Sequence, residues 1–349
     1  MDFNYFAFYW NIATLLAVWL YGKHLFKIFH WSFVTASIYT VVNSLWAIQY
    51  VTLYEPFAAK TNVTLVLHHY EALATFIFAV FIMEKVKPKE VWFAWICFVN
   101  VVLTIWLLPL NLTGDWVSGL TVNPSMNLCI IAITFPFIGL LPKFWMRLLS
   151  VVGGLGLMAY SYVLHSTSTP ILAVIVALIV FFFFHSREGR GVAGFLLVLT
   201  CVPVLLVQKL LSPGDRLMQW KIFFNYWREN INWLFGAGNG SFYVLGPVLQ
   251  QINGGVTDYF VWMHSDVLQT LFELGFVGFV LWGIAIGYVF YRLRKKILWL
   301  AAGVAWLVTA AAYYPLHFPI QLWLGMMVAT VAIKKESGKI NDILLPQVL

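Results

Sequence analysis

The charged residues of this chain fall in short clusters, and between them lie apolar runs of about 17–25 residues, the length that carries a helix across a bilayer core. That repeated spacing leaves few folds open. With 62% hydrophobic and 10% charged residues over 349 positions, too little charge is present to cover a water-soluble domain of this size. The expectation is an all-α polytopic membrane protein, one integral domain over residues 1–349. The spans read as 5–22, 28–53, 62–83, 91–111, 127–141, 148–164, 170–185, 191–211, 267–291, 296–313 and 318–333, about eleven helices. No internal repeat, low-complexity segment or second-domain linker interrupts them. The first run has no basic leader and is followed by another span, so it reads as a span and not as a cleavable signal.

Alternate loops carry the basic residues: Lys23 and Lys27; Lys85, Lys87 and Lys89; Lys143 and Arg147; Arg187 and Arg190; Arg292, Arg294, Lys295 and Lys296; and Lys334, Lys335 and Lys339 in the tail. Only five of the 21 Lys and Arg remain for the opposite side. The positive-inside rule therefore predicts an external N-terminus and a cytoplasmic C-terminus. The net charge of +7 sits beside membrane spans and gives no reason to expect a nucleic-acid partner. Cys97, Cys129 and Cys201 lie inside apolar runs without metal-ligand or disulfide spacing, so they read as small buried residues, and no metal or cofactor is expected.

One external connection, residues 212–266, is far longer than the others. It is rich in Trp, Phe and Tyr, which argues against disorder. Within it, "DRLMQWKIFFNYWREN" (215–230) places Leu217, Trp220, Phe223, Phe224 and Trp227 at helical spacing among Arg216, Lys221 and Arg228; Lys209 stands just before, at the membrane edge. Such an aromatic-basic helix suits a membrane interface, its cationic groups toward lipid phosphates. Next comes "FGAGNGSF" (235–242). Gly236, Gly238 and Gly240 permit sharp turns and close backbone approach, and consecutive N–H groups there can cradle a phosphate. With no strand before it and no Lys-Ser/Thr after it, neither a dinucleotide fingerprint nor a P-loop is supported.

"MHSDVLQTLFELGFVGFVLW" (263–282) then puts His264, Ser265 and Asp266 at the start of an apolar helix. Ser265 or Asp266 can cap that helix, and His264 is either incidental to the cap or part of a site. Glu273, about two turns in, is costly at that depth unless paired or near water, which makes it a functional candidate. Gly275 and Gly278 thin one face for a neighbouring helix.

Taken together, "DRLMQW…FGAGNGSF…MHSDVLQTLFELGFVGFVLW" resembles the shared core of the O-antigen ligase and Wzy-type O-antigen polymerase superfamily. Arg216, Trp220, Gly236, Gly238, His264, Leu268, Gln269, Glu273, Gly275 and Gly278 fill its pattern. Motifs cover about residues 160–320 and hydropathy the rest. The resemblance implies a GT-C-like helical fold in the cytoplasmic (inner) membrane, with the large extracytoplasmic loop carrying the site. It implies transfer or polymerisation of saccharide from a polyprenyl-pyrophosphate carrier to a saccharide or lipid-saccharide hydroxyl, as in O-antigen or capsule assembly, without metal or nucleotide sugar. In that chemistry Arg216 pairs with the pyrophosphate, assisted by Lys209, Lys221 and Arg228. The His264 imidazole, with a usual pKa near 6.5, serves as base or hydrogen-bond partner for the acceptor hydroxyl.

The chain departs from the family in two places. The ligases have twelve spans with both termini inside, so one N-terminal helix fewer is expected here. Many members carry Ser-Arg at the outer start of the seventh span, whereas this chain reads "HSTSTPIL" (165–172), with Thr169 at the Arg position. Either His165 or another base takes that part, or the chain is a divergent or inactive relative. His317, in the last outer loop, is placed to contact the acceptor. A transporter or flippase for a lipid-linked or anionic solute, using His68 and Glu71 of "HHYE" (68–71), is the rival reading. It requires midplane polar groups that the spans otherwise lack.

Overall fold

A computed structural model describes residues 16, 19–20, 22, 25–44, 87–111, 120, 124–165, 168–185, 215–252, 263–313 and 319–334. Among them the apolar runs are helices: α1 (Trp31–Ser44), α2 (Glu90–Asn111), α3 (Pro124–Thr134), α4 (Phe144–His165), α5 (Thr169–His185), α6 (Asp215–Asn230), α7 (Phe242–Ile252), α8 (Asp266–Leu293), α9 (Ile297–Ala312) and α10 (Pro319–Ile333). The spans expected at 62–83 and 191–211, and most of 5–22, lie outside the described residues.

Glu90–Leu108, Phe144–Val163 and Asp266–Leu293 are long and apolar enough to cross a membrane. At 1.5 Å per residue, the 22-residue α2 and α4 reach about 33 Å against a hydrocarbon core of about 30 Å. The span expected at 127–141 is not one α-helix. It passes after Thr134 into a 3-10 turn, Phe135–Leu140, because Pro136 lacks an N–H and its ring crowds the carbonyl one turn back. The Thr134 hydroxyl donates to Ile130 O (2.7 Å) within the last α-helical turn.

Chain direction alternates, and contacts at both ends of the bundle show it. At one end Phe29 pairs with Lys334, His30 N–H donates to Ile333 O (3.1 Å), Lys296 Nζ donates to Val331 O (3.3 Å), and His30 stacks on Tyr288. At the other end Asp266 N–H donates to Tyr313 O (2.9 Å) and Gln321 Nε2 to Met126 O (2.8 Å). Lys296 and Lys334 thus share one end, and His264 and Tyr313 the other. The expected alternation holds through α1, α8, α9 and α10.

α9 packs on α5, α3, α8 and α10, and α2 on α4 and the 3-10 turn. Phe93, Phe137 and Trp299 meet with centroids 4.9–5.0 Å apart, joining α2, the 3-10 turn and α9 through edge contacts. Cys97 and Cys129 are fully buried in this core, as small apolar residues would be; Cys201 lies outside the described residues. A buried polar knot ties the site end together. Asn100 Nδ2 donates to Asn127 O, Asn127 Nδ2 to Thr104 Oγ1, and Leu120 N–H to both amide oxygens. Each of these groups would cost several kcal/mol unpaired in hydrocarbon.

A second, smaller core covers the start of α8. Phe223 of α6, Phe242 of α7 and Phe272 of α8 stack edge-on, with centroids 4.6 and 5.5 Å apart. Phe223 of the aromatic stripe is fully buried against α7, Trp220, Phe224 and Trp227 are half-buried beside it, and Lys221 and Arg228 are exposed.

Candidate functional site

Among the described residues His264 is the one non-glycine with positive φ, at 54°. A left-handed backbone at a non-glycine residue costs of order 1 kcal/mol and persists only where its surroundings over-determine it. Here they do. Met263 O accepts from Trp220 Nε1 (2.7 Å), and Met263 N–H donates to Gln269 Oε1 (3.2 Å). On the other side Ser265 caps α8, its hydroxyl accepting from Leu268 N–H (3.3 Å), while Asp266 N–H is held by Tyr313 O. The half-buried imidazole lies edge-on to the Tyr313 ring, centroids 6.1 Å apart. Ser265 caps α8, and His264 stands immediately before the cap in its left-handed backbone.

Below His264, α8 is broken. Gly275 has φ 65° and ψ −170°, a conformation essentially restricted to glycine, and the "FGAGNGSF" loop is inserted at the break. The freed carbonyls of Phe272 and Glu273 accept from Ala237 N–H (3.1 Å) and Gly238 N–H (2.8 Å), and Leu274 O accepts from Tyr39 Oη (2.9 Å). The freed N–H groups of Phe276 and Val277 donate to Trp233 O and Leu234 O (3.0 Å each). The loop and the two residues before it thus satisfy the backbone groups freed by the break, as a span in hydrocarbon requires. Gly236 and Gly275 pack backbone to backbone, so a Cβ on either would run into the other strand of the interlock. At Gly278 a Cβ would lie 2.7 Å from the Tyr39 ring, and the close helix approach expected there is made by α1.

Glu273, only 4% exposed, closes the loop. Its carboxylate accepts from Gly240 N–H (3.0 Å), Phe242 N–H (3.2 Å) and Gln269 Nε2 (3.0 Å). The N–H groups of Gly238 and Gly240 face Glu273, its carbonyl and its carboxylate. Glu273 and Gln269 sit one turn apart and Gln269 reaches Met263, so Trp220, Met263, Gln269, Glu273 and the glycine loop form one connected network. From α1, Asn43 Nδ2 donates to Phe235 O (2.7 Å) and Asn43 Oδ1 accepts from Asn239 N–H (2.9 Å).

Arg216 occupies the first turn of α6, one helical turn before Trp220; its side chain lies outside the described part. Lys221 and Arg228 are exposed on the far side of α6, and Arg228 pairs with Glu229 at 3.3 Å. His165 ends α4 with its side chain undescribed; Lys209, His317, His68 and Glu71 lie outside the described residues. Thr169 begins α5, whose Ser168 O accepts from Leu172 N–H (3.0 Å), with Pro170 in the first turn where a missing N–H costs nothing. The structure therefore brings together His264, Gly236, Gly238 and Glu273 with the helix bearing Arg216, and it keeps Lys221 and Arg228 apart from them. Tyr313 and Asn43 went unnoticed in the sequence. Asn43 did leave a signal, an amide in an apolar run, which needs a partner in a membrane.

Residues 153–283, from within α4 to within α8, match the family model for O-antigen ligase. The resemblance to the O-antigen ligase and Wzy-type superfamily holds over that segment, which contains His264, Glu273, both glycine motifs and α6. An O-antigen ligase domain supports glycosyl transfer, saccharide ligation or polymerisation, on lipid-linked substrates at a membrane. No curated protein matches the chain.

Proposed function

We propose that the chain is a membrane glycosyltransferase of O-antigen polymerase or ligase type, moving saccharide from a polyprenyl-pyrophosphate carrier to an acceptor sugar hydroxyl on the outer face of the cytoplasmic membrane. The observation that carries this reading is the bond from Trp220 Nε1 to Met263 O. It ties the helix turn following Arg216 to the residue preceding His264, and so supports bringing guanidinium and imidazole to one site. In the reaction the acceptor oxygen bonds to the anomeric carbon as the bond to pyrophosphate breaks. Arg216 neutralises the departing polyprenyl pyrophosphate, and the hydroxyl proton passes to His264 and on to solvent. Lys209 at the membrane edge and the exposed Lys221 and Arg228 supply a positive approach to the carrier's phosphates. His165 and His317 are assigned to carrier and acceptor respectively. The site end of the bundle lies outside and the end bearing Lys296 and Lys334 faces the cytoplasm.

The polysaccharide from a deletion strain complemented with wild type or with His264→Ala tests the reading. Transfer is expected to vanish in the variant while its level in the membrane stays unchanged. Single-unit bands indicate a polymerase and loss of every capped species a ligase. Full activity of the variant would remove the mechanism, and solute flux driven by an ion gradient would favour the transporter.

A further inference from the structure

We infer that Asn43, on α1 and outside the segment that matches the ligase family, is a positioning residue for the His264 site. Its amide grips the glycine loop at both ends of a five-residue turn, donating to Phe235 O and accepting from Asn239 N–H. Between those points lie Gly236 and Gly238 with φ of 74° and 98°, a backbone that needs outside support to hold one geometry. The next residue, Gly240, donates to Glu273, which holds Gln269, which holds Met263 beside His264. Asn43 is thus the far end of a path of hydrogen bonds and peptide links that ends at the backbone of Met263, next to His264.

Helix association does not need it. α1 is already fastened to α8 by Tyr39 Oη to Leu274 O (2.9 Å), by Trp282 Nε1 to Thr40 Oγ1 (2.9 Å), by the edge contact of Phe33 with Trp282, and by close approach at Gly278. Asn43 is buried, and an amide in an apolar helix is retained where both its polar atoms are used. Here both pass beyond α8 to the loop.

The activity arm of the test rests on the transferase reading; the exchange arm does not. Full-length wild type, Asn43→Ala and Asn43→Asp are placed in nanodiscs, with Thr40→Val as a helix-contact control. Amide hydrogen exchange is followed by mass spectrometry, and transfer is assayed with lipid-linked saccharide extracted from the deletion strain. In both Asn43 variants, peptides covering residues 236–242 are expected to exchange about tenfold faster, with α1 and the later turns of α8 unchanged. The kcat for transfer is expected to fall about tenfold, with KM changed less than twofold, as misplacement of a reacting group dictates. Thr40→Val leaves loop exchange and the KM at wild-type values. Unchanged loop exchange in both variants overturns the proposal, as does faster exchange with undiminished kcat. Faster exchange over every helix in both variants makes Asn43 a general stabiliser and also overturns it. If wild type itself transfers nothing, the transferase reading falls, and the exchange result alone supports or overturns the clamp.

Discussion

At the scale of single residues, three neighbours hold His264 in a backbone it would not otherwise choose. Trp220 reaches Met263 O, Gln269 takes Met263 N–H, and Ser265 caps the helix that follows. Removing one of these bonds leaves the imidazole present and lets its backbone relax. Trp220→Phe keeps the ring in place and deletes only the indole N–H. A buried hydrogen bond contributes about 1 kcal/mol net, and relaxation of the left-handed residue adds misalignment, so transfer should drop about tenfold or more with membrane level unchanged. Steady-state kinetics on purified protein check this, and a variant as active as wild type would show that His264 needs no such support.

At the scale of elements, the break in α8 and the glycine loop are two halves of one structure. The motif "LFELGFVG" offers the gap; "FGAGNGSF" donates Ala237 and Gly238 N–H to its bare carbonyls, and Trp233 O and Leu234 O just before that loop accept from its bare N–H groups. Gly275→Ala sets a methyl against the Gly236 backbone at a φ/ψ that other residues avoid. It should destabilise the protein by about 2–3 kcal/mol, read as a lower thermal midpoint in detergent. Gly278→Ala should lower it as well, through α1, but without loosening the loop. Equal midpoints for wild type and Gly275→Ala would mean that the interlock contributes nothing to stability.

At the scale of the molecule, the bundle has a basic end and an end bearing His264, related by the up-down course of α1, α8, α9 and α10. Lys296 and Lys334 lie at the first, and His264 with Tyr313 at the second. If the positive-inside assignment is right, a cysteine replacing Arg294 should react with a membrane-impermeant maleimide only in inverted vesicles. One replacing the exposed Glu229 should react only in right-side-out vesicles. Cys97 and Cys129 are buried and should stay silent in both. Reversed labelling would place the site in the cytoplasm and end the proposed use of an external carrier.

Helices and their order could be read directly because hydrocarbon imposes a length and a polarity on every span: α2, α4, α5, α8, α9 and α10 fall within a few residues of their expected limits, and α6 on them. His264 and Glu273 were legible for a related reason, since a polar group at the mouth of an apolar helix needs some cause. Their partners were not. That Glu273 would take Gly240 and Phe242, or that Asn43 would reach across 192 positions to Phe235, depends on which surfaces meet after packing. Periodicity reports the face of a helix and carries no address for the backbone group that face will touch. A bond from a side chain to a distant backbone group leaves almost no trace in residue type, so the partners of the Gly240 N–H and of Asn43 became visible only after folding.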